Sequence, residues 1–143
     1  MAKISFKITD NSEQLKNATK ESIRNALTII GGKAAEYAAN LAPVDTGLLK
    51  NSVTYALAGE PPAISTYTSD DGTKSGSYSG VADGGQDDTF VLIGSNVEYA
   101  AAHEFGYKGI SAKHYIANGV GNHIDEFKGI LSEELQQNWH LFN

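Results

Sequence analysis

Ile4, Phe6 and Ile8 alternate with Lys3, Ser5 and Lys7, the period of two that predicts a half-buried strand over residues 3–8. Asp10 then stands where a side chain can cap a following helix, with Glu13 three residues on in a variant of the capping box. Beyond it Ile23, Leu27, Ile30, Ala34, Tyr37 or Ala38, and Leu41 recur at steps of three and four, predicting a long helix with one apolar stripe that ends near Leu41. Gly31-Gly32 interrupts that stripe. Each glycine costs about 1 kcal/mol against alanine inside a helix, so either the helix bends there or another backbone packs closely. The small pairs Ala34-Ala35 and Ala38-Ala39 likewise permit close approach on more than one side.

Pro43 stops this helix by disfavouring helical geometry at Ala42 and removing a backbone donor. Asp45 and Thr46 then offer caps for a short helical turn from Thr46 to Asn51. Val53, Tyr55 and Leu57 alternate as a second strand, and Phe90-Val91-Leu92-Ile93 predicts a third that is apolar on both faces and needs a cover on each. Ser95 and Glu98 have capping-box spacing, with Asn96 as an alternative cap, so a short helix is expected from Val97 to Phe105, stopped by Gly106. Finally Ile116, Val120, Ile124, Phe127, Leu131 and Leu135 specify one amphipathic helix from about Ala112 to Trp139, weakened locally by Gly119, Gly121 and Gly129.

These elements predict a single α+β domain over residues 1–143, a small antiparallel sheet packed by a long N-terminal helix and a C-terminal helix. Between the second and third strands, residues 59–88 are rich in Gly, Ser, Asp and Pro, the composition of turns, and form a long inserted loop or hairpin. Tyr67 and Tyr78 lie within it as candidates for packing on a partner.

Composition narrows the function classes. A net charge of −6 opposes the counterion release on which tight nucleic-acid binding depends. The absence of cysteine excludes disulfides, thiolate metal sites and cysteine nucleophiles. The first ten residues lack the apolar stretch of a signal peptide, and no apolar run approaches a membrane span.

Candidate chemistry is sparse. His103-Glu104 begins like a zinc-protease motif, but Tyr107 stands where the second histidine is required. Residues 76–80 (GSYSG) place Tyr78 where a nucleophile elbow needs serine, and Gly31-Gly32-Lys33 lacks the remainder of a P-loop. Asp70, Asp71, Asp83, Asp87 and Asp88 could supply oxygen ligands to calcium, yet not in the order of an EF-hand. No pair of carboxylates has the contrasting surroundings that acid-base catalysis uses.

Two stretches carry more specific information: residues 41–53 (LAPVDTGLLKNSV) and residues 96–106 (NVEYAAAHEFG). Together, and in the order helix, P-V-D-T-G-x-L turn, strand, Y-A-x-x-x-E-F-G segment and C-terminal helix, they resemble the minor structural proteins of tailed bacteriophages that join head to tail, the neck or tail-completion proteins. The chain departs from that pattern where the family often has P-F-L-x-P-A, since Ala112-Lys113-His114-Tyr115-Ile116 stands there instead. The resemblance implies a virion protein without catalysis or cofactor, assembled in the bacterial cytoplasm as a homo-oligomeric ring. Its partners would be connector, head-closure and tail proteins, with DNA passing through unbound and no membrane involved. The family motif falls on Pro43, Val44, Asp45, Thr46, Gly47, Leu48, Tyr99, Glu104, Phe105 and Gly106. Cap and turn chemistry alone accounts for Asp45 to Gly47, and contact with a partner is the other expectation. Two competing functions are a metal-dependent hydrolase using His103 and Glu104, and a host-surface carbohydrate-binding module using Tyr67 and Tyr78.

Overall fold

The computed structural model describes residues 3–7, 16–83 and 90–139. Strand β1 (Lys3–Lys7) is followed by helix α1 (Lys16–Leu41), the short helix α2 (Leu48–Ser52) and strand β2 (Thr54–Leu57). Strands β3 (Thr66–Thr68) and β4 (Ser75–Ser77) come next, then β5 (Phe90–Gly94), and helices α3 (Ala100–Phe105), α4 (Tyr115–Gly121) and α5 (Ile124–Trp139). The fold is α+β with a long N-terminal helix, as the periodicities predict. Ile8, Asp10 and Glu13 lie outside the described residues, as do Asp87 and Asp88.

The main sheet is antiparallel with order β1-β5-β2. Its register pairs Ile93 with Ile4 and Tyr55, and Val91 with Phe6 and Leu57. The doubly apolar β5 therefore takes the centre, where both edges are hydrogen-bonded. Gly31 explains how α1 covers one face. A Cβ there would sit 2.6 Å from Tyr55 Cδ2 and 2.8 Å from Val91 Cγ2, so the bare backbone lets the sheet's side chains reach the helix axis. Of the glycine pair, Gly31 serves close approach by the sheet, whereas a Cβ at Gly32 would make only ordinary contact with Tyr55 at 3.8 Å.

Over its described residues, 59–83, the inserted segment takes the hairpin alternative. It holds the β3–β4 hairpin, a second two-stranded sheet registered Thr66↔Ser77, Tyr67↔Gly76 and Thr68↔Ser75. Asp71 secures its turn by accepting from the Thr73 amide at 3.0 Å and from the Ser69 and Thr73 hydroxyls at 2.7 Å each. Those bonds, the Thr73 amide first, hold its carboxyl down at about 2, so it is ionised through the physiological range.

The single C-terminal helix expected from Ala112 is instead two. α4 ends at Gly121, and the chain turns through Asn122-His123 before α5 begins. The regular apolar spacing runs across the break because Ile116, Val120 and Phe127 from both helices enter one core with Leu27, Ile30 and Ala38 of α1. A tertiary cluster holds the break in place. His123 stacks on Tyr37 of α1 with ring centroids 3.6 Å apart, and the Tyr37 hydroxyl reaches both Glu126 oxygens at 2.7 and 2.9 Å. Lys33 approaches Glu126 at 3.2 Å. The bond from Tyr37 lowers the Glu126 pKa, and the same bond raises that of Tyr37. Gly119 has a tertiary reason as well. A Cβ on it would lie 2.7 Å from the backbone N and Cα of Ala38, so α4 rests directly on the α1 backbone.

Candidate functional site

The first motif is a turn wedged between α1 and the hairpin. Thr46 Oγ1 accepts from the Leu48 amide at 3.3 Å, while the Thr46 carbonyl accepts from the Asp70 amide at 2.8 Å. Gly47, not Asp45 or Thr46, occupies the N-cap position of α2, with φ of 83°. That left-handed conformation favours glycine, and a Cβ would collide with the Asp70 carboxylate. Asn51 closes the arrangement by donating to Asp70 Oδ1 at 3.0 Å and to the Thr68 carbonyl at 2.8 Å. Leu48 is half-buried against the core. Asp45 is left exposed and has no hydrogen bond or ion pair among the described residues.

Immediately before the second motif stands Ser95, which is fully buried. Its hydroxyl meets that of Ser52 at 2.5 Å and accepts from the Val97 amide at 3.1 Å. Ser95 thus ties the second motif to the end of the first, and the predicted capping box with Glu98 does not form. The helix starts at Ala100, with Tyr99 at its N-cap and no side-chain cap.

Tyr67 and Tyr78, expected to meet a partner, are turned onto the domain itself. Tyr67 is 9% exposed and donates to Asn96 Oδ1 at 2.7 Å. Tyr78 donates to the Ser52 carbonyl at 2.6 Å and accepts from the Asn96 amide at 3.1 Å. Burial raises both phenol pKa values. The hairpin therefore braces the two motifs against each other, with Tyr67 buried and Tyr78 partly buried.

Glu104 is equally committed. Only 2% exposed, it accepts from the Ile116 amide at 2.7 Å through Oε1 and from the Ala117 amide at 3.2 Å through Oε2. It supplies the cap that α4 lacks locally, where His114 sits at the N-cap with φ of 49° and no side-chain bond. Beneath it Tyr115 is fully buried, donates to the Ala100 carbonyl at 3.1 Å, and has its pKa raised chiefly by that burial. With both oxygens engaged, Glu104 is not placed as a general base. Among the described residues no group of three or more His, Asp and Glu side chains could hold a metal ion.

The motifs converge on a cleft of about 180 Å³, to which the first contributes Pro43, Val44, Asp45 and Thr46 and the second Tyr99 and His103. Tyr99 meets His103 edge-on with ring centroids 5.7 Å apart. His103 Nδ1 is buried without a hydrogen-bond partner, an exception that calls for an explanation. Sequence reasoning placed His103 only in a failed metal motif, and no local pattern marks it as part of this cleft.

Past Gly106, at φ 84°, comes a feature that the pattern reading missed. Tyr107 and Ile110 exchange backbone hydrogen bonds of 3.0 and 2.8 Å around Lys108 and Gly109, both at positive φ. This tight turn forms a tongue on which Phe105 is 65%, Tyr107 59% and Ile110 39% exposed. The signal available in sequence was Lys108-Gly109 flanked by apolar residues, a short hairpin pattern. Lys108 Nζ lies 5.2 Å from the Tyr107 ring centroid and has no ion pair among the described residues.

A larger cleft of about 320 Å³ opens on the other face of the main sheet, over Thr54, Ala56, Leu92 and Gly94 and under Tyr78 and Val81. Among the described residues no helix is long and apolar enough to cross a membrane. Comparison of the chain with protein-family models, curated proteins and solved structures returns no match.

Proposed function

We propose that this protein is a virion structural subunit of a tailed phage, forming a ring that joins head and tail around the DNA channel without catalysing a reaction. One observation carries the reading: the two segments that resemble neck and tail-completion proteins, separated by more than forty residues, fold into a single braced surface with a cleft and an apolar tongue. Buried polar groups that chemistry could have used are spent on holding this surface, as Glu104 does for α4 and Ser95 for Ser52. Exposed apolar side chains gathered on one rigid turn suit a protein contact better than solvent. The net charge of −6 suits a channel through which DNA passes without sticking. Its partners on this reading are further copies of itself and the connector, head-closure and tail proteins.

Native mass spectrometry with negative-stain imaging of the purified protein tests the reading. The expected result is a closed ring of defined copy number, alone or once connector protein is added. A monomer at every concentration, both alone and with connector, would contradict it.

A further inference from the structure

We propose that the ring closes through a heterologous contact, the Tyr107–Ile110 tongue of one copy seating in the cleft beside Pro43, Asp45 and Tyr99 of the next. This rests on the ring reading above and names the residues that would make it. The tongue has the properties of an anchor. Its two backbone hydrogen bonds hold Tyr107 and Ile110 in place before contact, so little conformational entropy is lost on docking. Lys108 is held at φ 37°, a conformation that side-chain-bearing residues seldom adopt and that local geometry must maintain.

The cleft has complementary properties. Its volume of about 180 Å³ is below the roughly 300–1,000 Å³ of small-molecule sites and matches one or two side chains. Asp45 on its rim has no partner among the described residues, and neither does the Lys108 ammonium as an ion. Each charge can satisfy the other across an interface. His103 and Tyr99, edge-on to one another, form the aromatic wall against which an incoming Tyr107 ring would pack.

None of residues 105–110 lines the cleft, so it is not filled by the tongue of its own chain and is open to that of a second copy. Two different patches meeting head to tail generate a ring when the rotation closes.

The absence of cysteine provides the test. Val44→Cys and Ser111→Cys variants each carry one thiol at an exposed position and leave the tongue residues 107–110 in place, and mixing them under oxidising conditions is expected to yield the 44–111 disulfide as the dominant covalent dimer. Separately, Asp45→Lys and Lys108→Asp should each raise the concentration needed for assembly about tenfold or more, and the double exchange should restore it. Both positions are exposed, so the thermal melt of each variant stays at the parental value. Rings that form normally with either reversal and give no 44–111 disulfide would overturn this contact while leaving the ring reading in place. Unmodified protein that never assembles would overturn both.

Discussion

Replacing Glu104 with alanine is expected to destabilise the fold by about 3 kcal/mol, a fall of about 10 °C in melting temperature for a domain of this size. The change removes the side-chain acceptors that the Ile116 and Ala117 amides have among the described residues. Ile116 is fully buried, so water does not replace the lost carboxylate oxygen there, and an unsatisfied buried donor costs about 1–3 kcal/mol. Part of this is offset because the alanine variant no longer buries a carboxylate. Glu104→Gln should fall between the two, since its one carbonyl oxygen serves one amide while its NH₂ group faces the other with a donor. Circular-dichroism melts of the three proteins give the ranking. If Glu104 were a catalytic base, both variants would melt like the parent and lose only activity.

Gly119→Ala is expected to cost about 3 kcal/mol, because the added methyl group would stand 2.7 Å from two backbone atoms of α1 that cannot rotate away. Relief requires α4 as a whole to lift from α1, loosening Ile116 and Val120 in the core. Gly129→Ala should do the reverse. Nothing lies within 4 Å of a Cβ at Gly129, which sits in the middle of α5, so the variant gains about 1 kcal/mol of helix propensity without a clash. Urea unfolding of both variants checks the pair. Equal effects from the two glycines would show that helix propensity, not the α1–α4 contact, governs this region.

Those glycines mark where reading the sequence stopped. Apolar alternation located β2, a continuous apolar run located β5, and Pro43 located the end of α1, because these signals act over a few residues. Ile116 to Leu135 kept helical spacing through Gly121 and Asn122, so periodicity could not reveal a break that depends on Tyr37, some 86 residues away from His123. The same limit hid the role of Glu104, whose amide partners lie 12 and 13 residues further on. Tyr67 and Tyr78 stood in a stretch with the composition of a loop, and their burial follows from Ser52 and Asn96 on other elements. At the candidate site the residue types were legible and their convergence was not. Pro43 to Leu48 and Tyr99 to Gly106 stood out as motifs, but the cleft exists only because Ser52 meets Ser95 and the hairpin tyrosines hold both segments together.

On the proposed function the protein joins head to tail, and the most direct measurement removes it from the phage that this reading requires to encode it. Electron microscopy of the resulting lysate should show DNA-filled heads and separate, unattached tails, with infectious particles restored when purified protein is added. Complete tailed particles assembling without it would contradict the account.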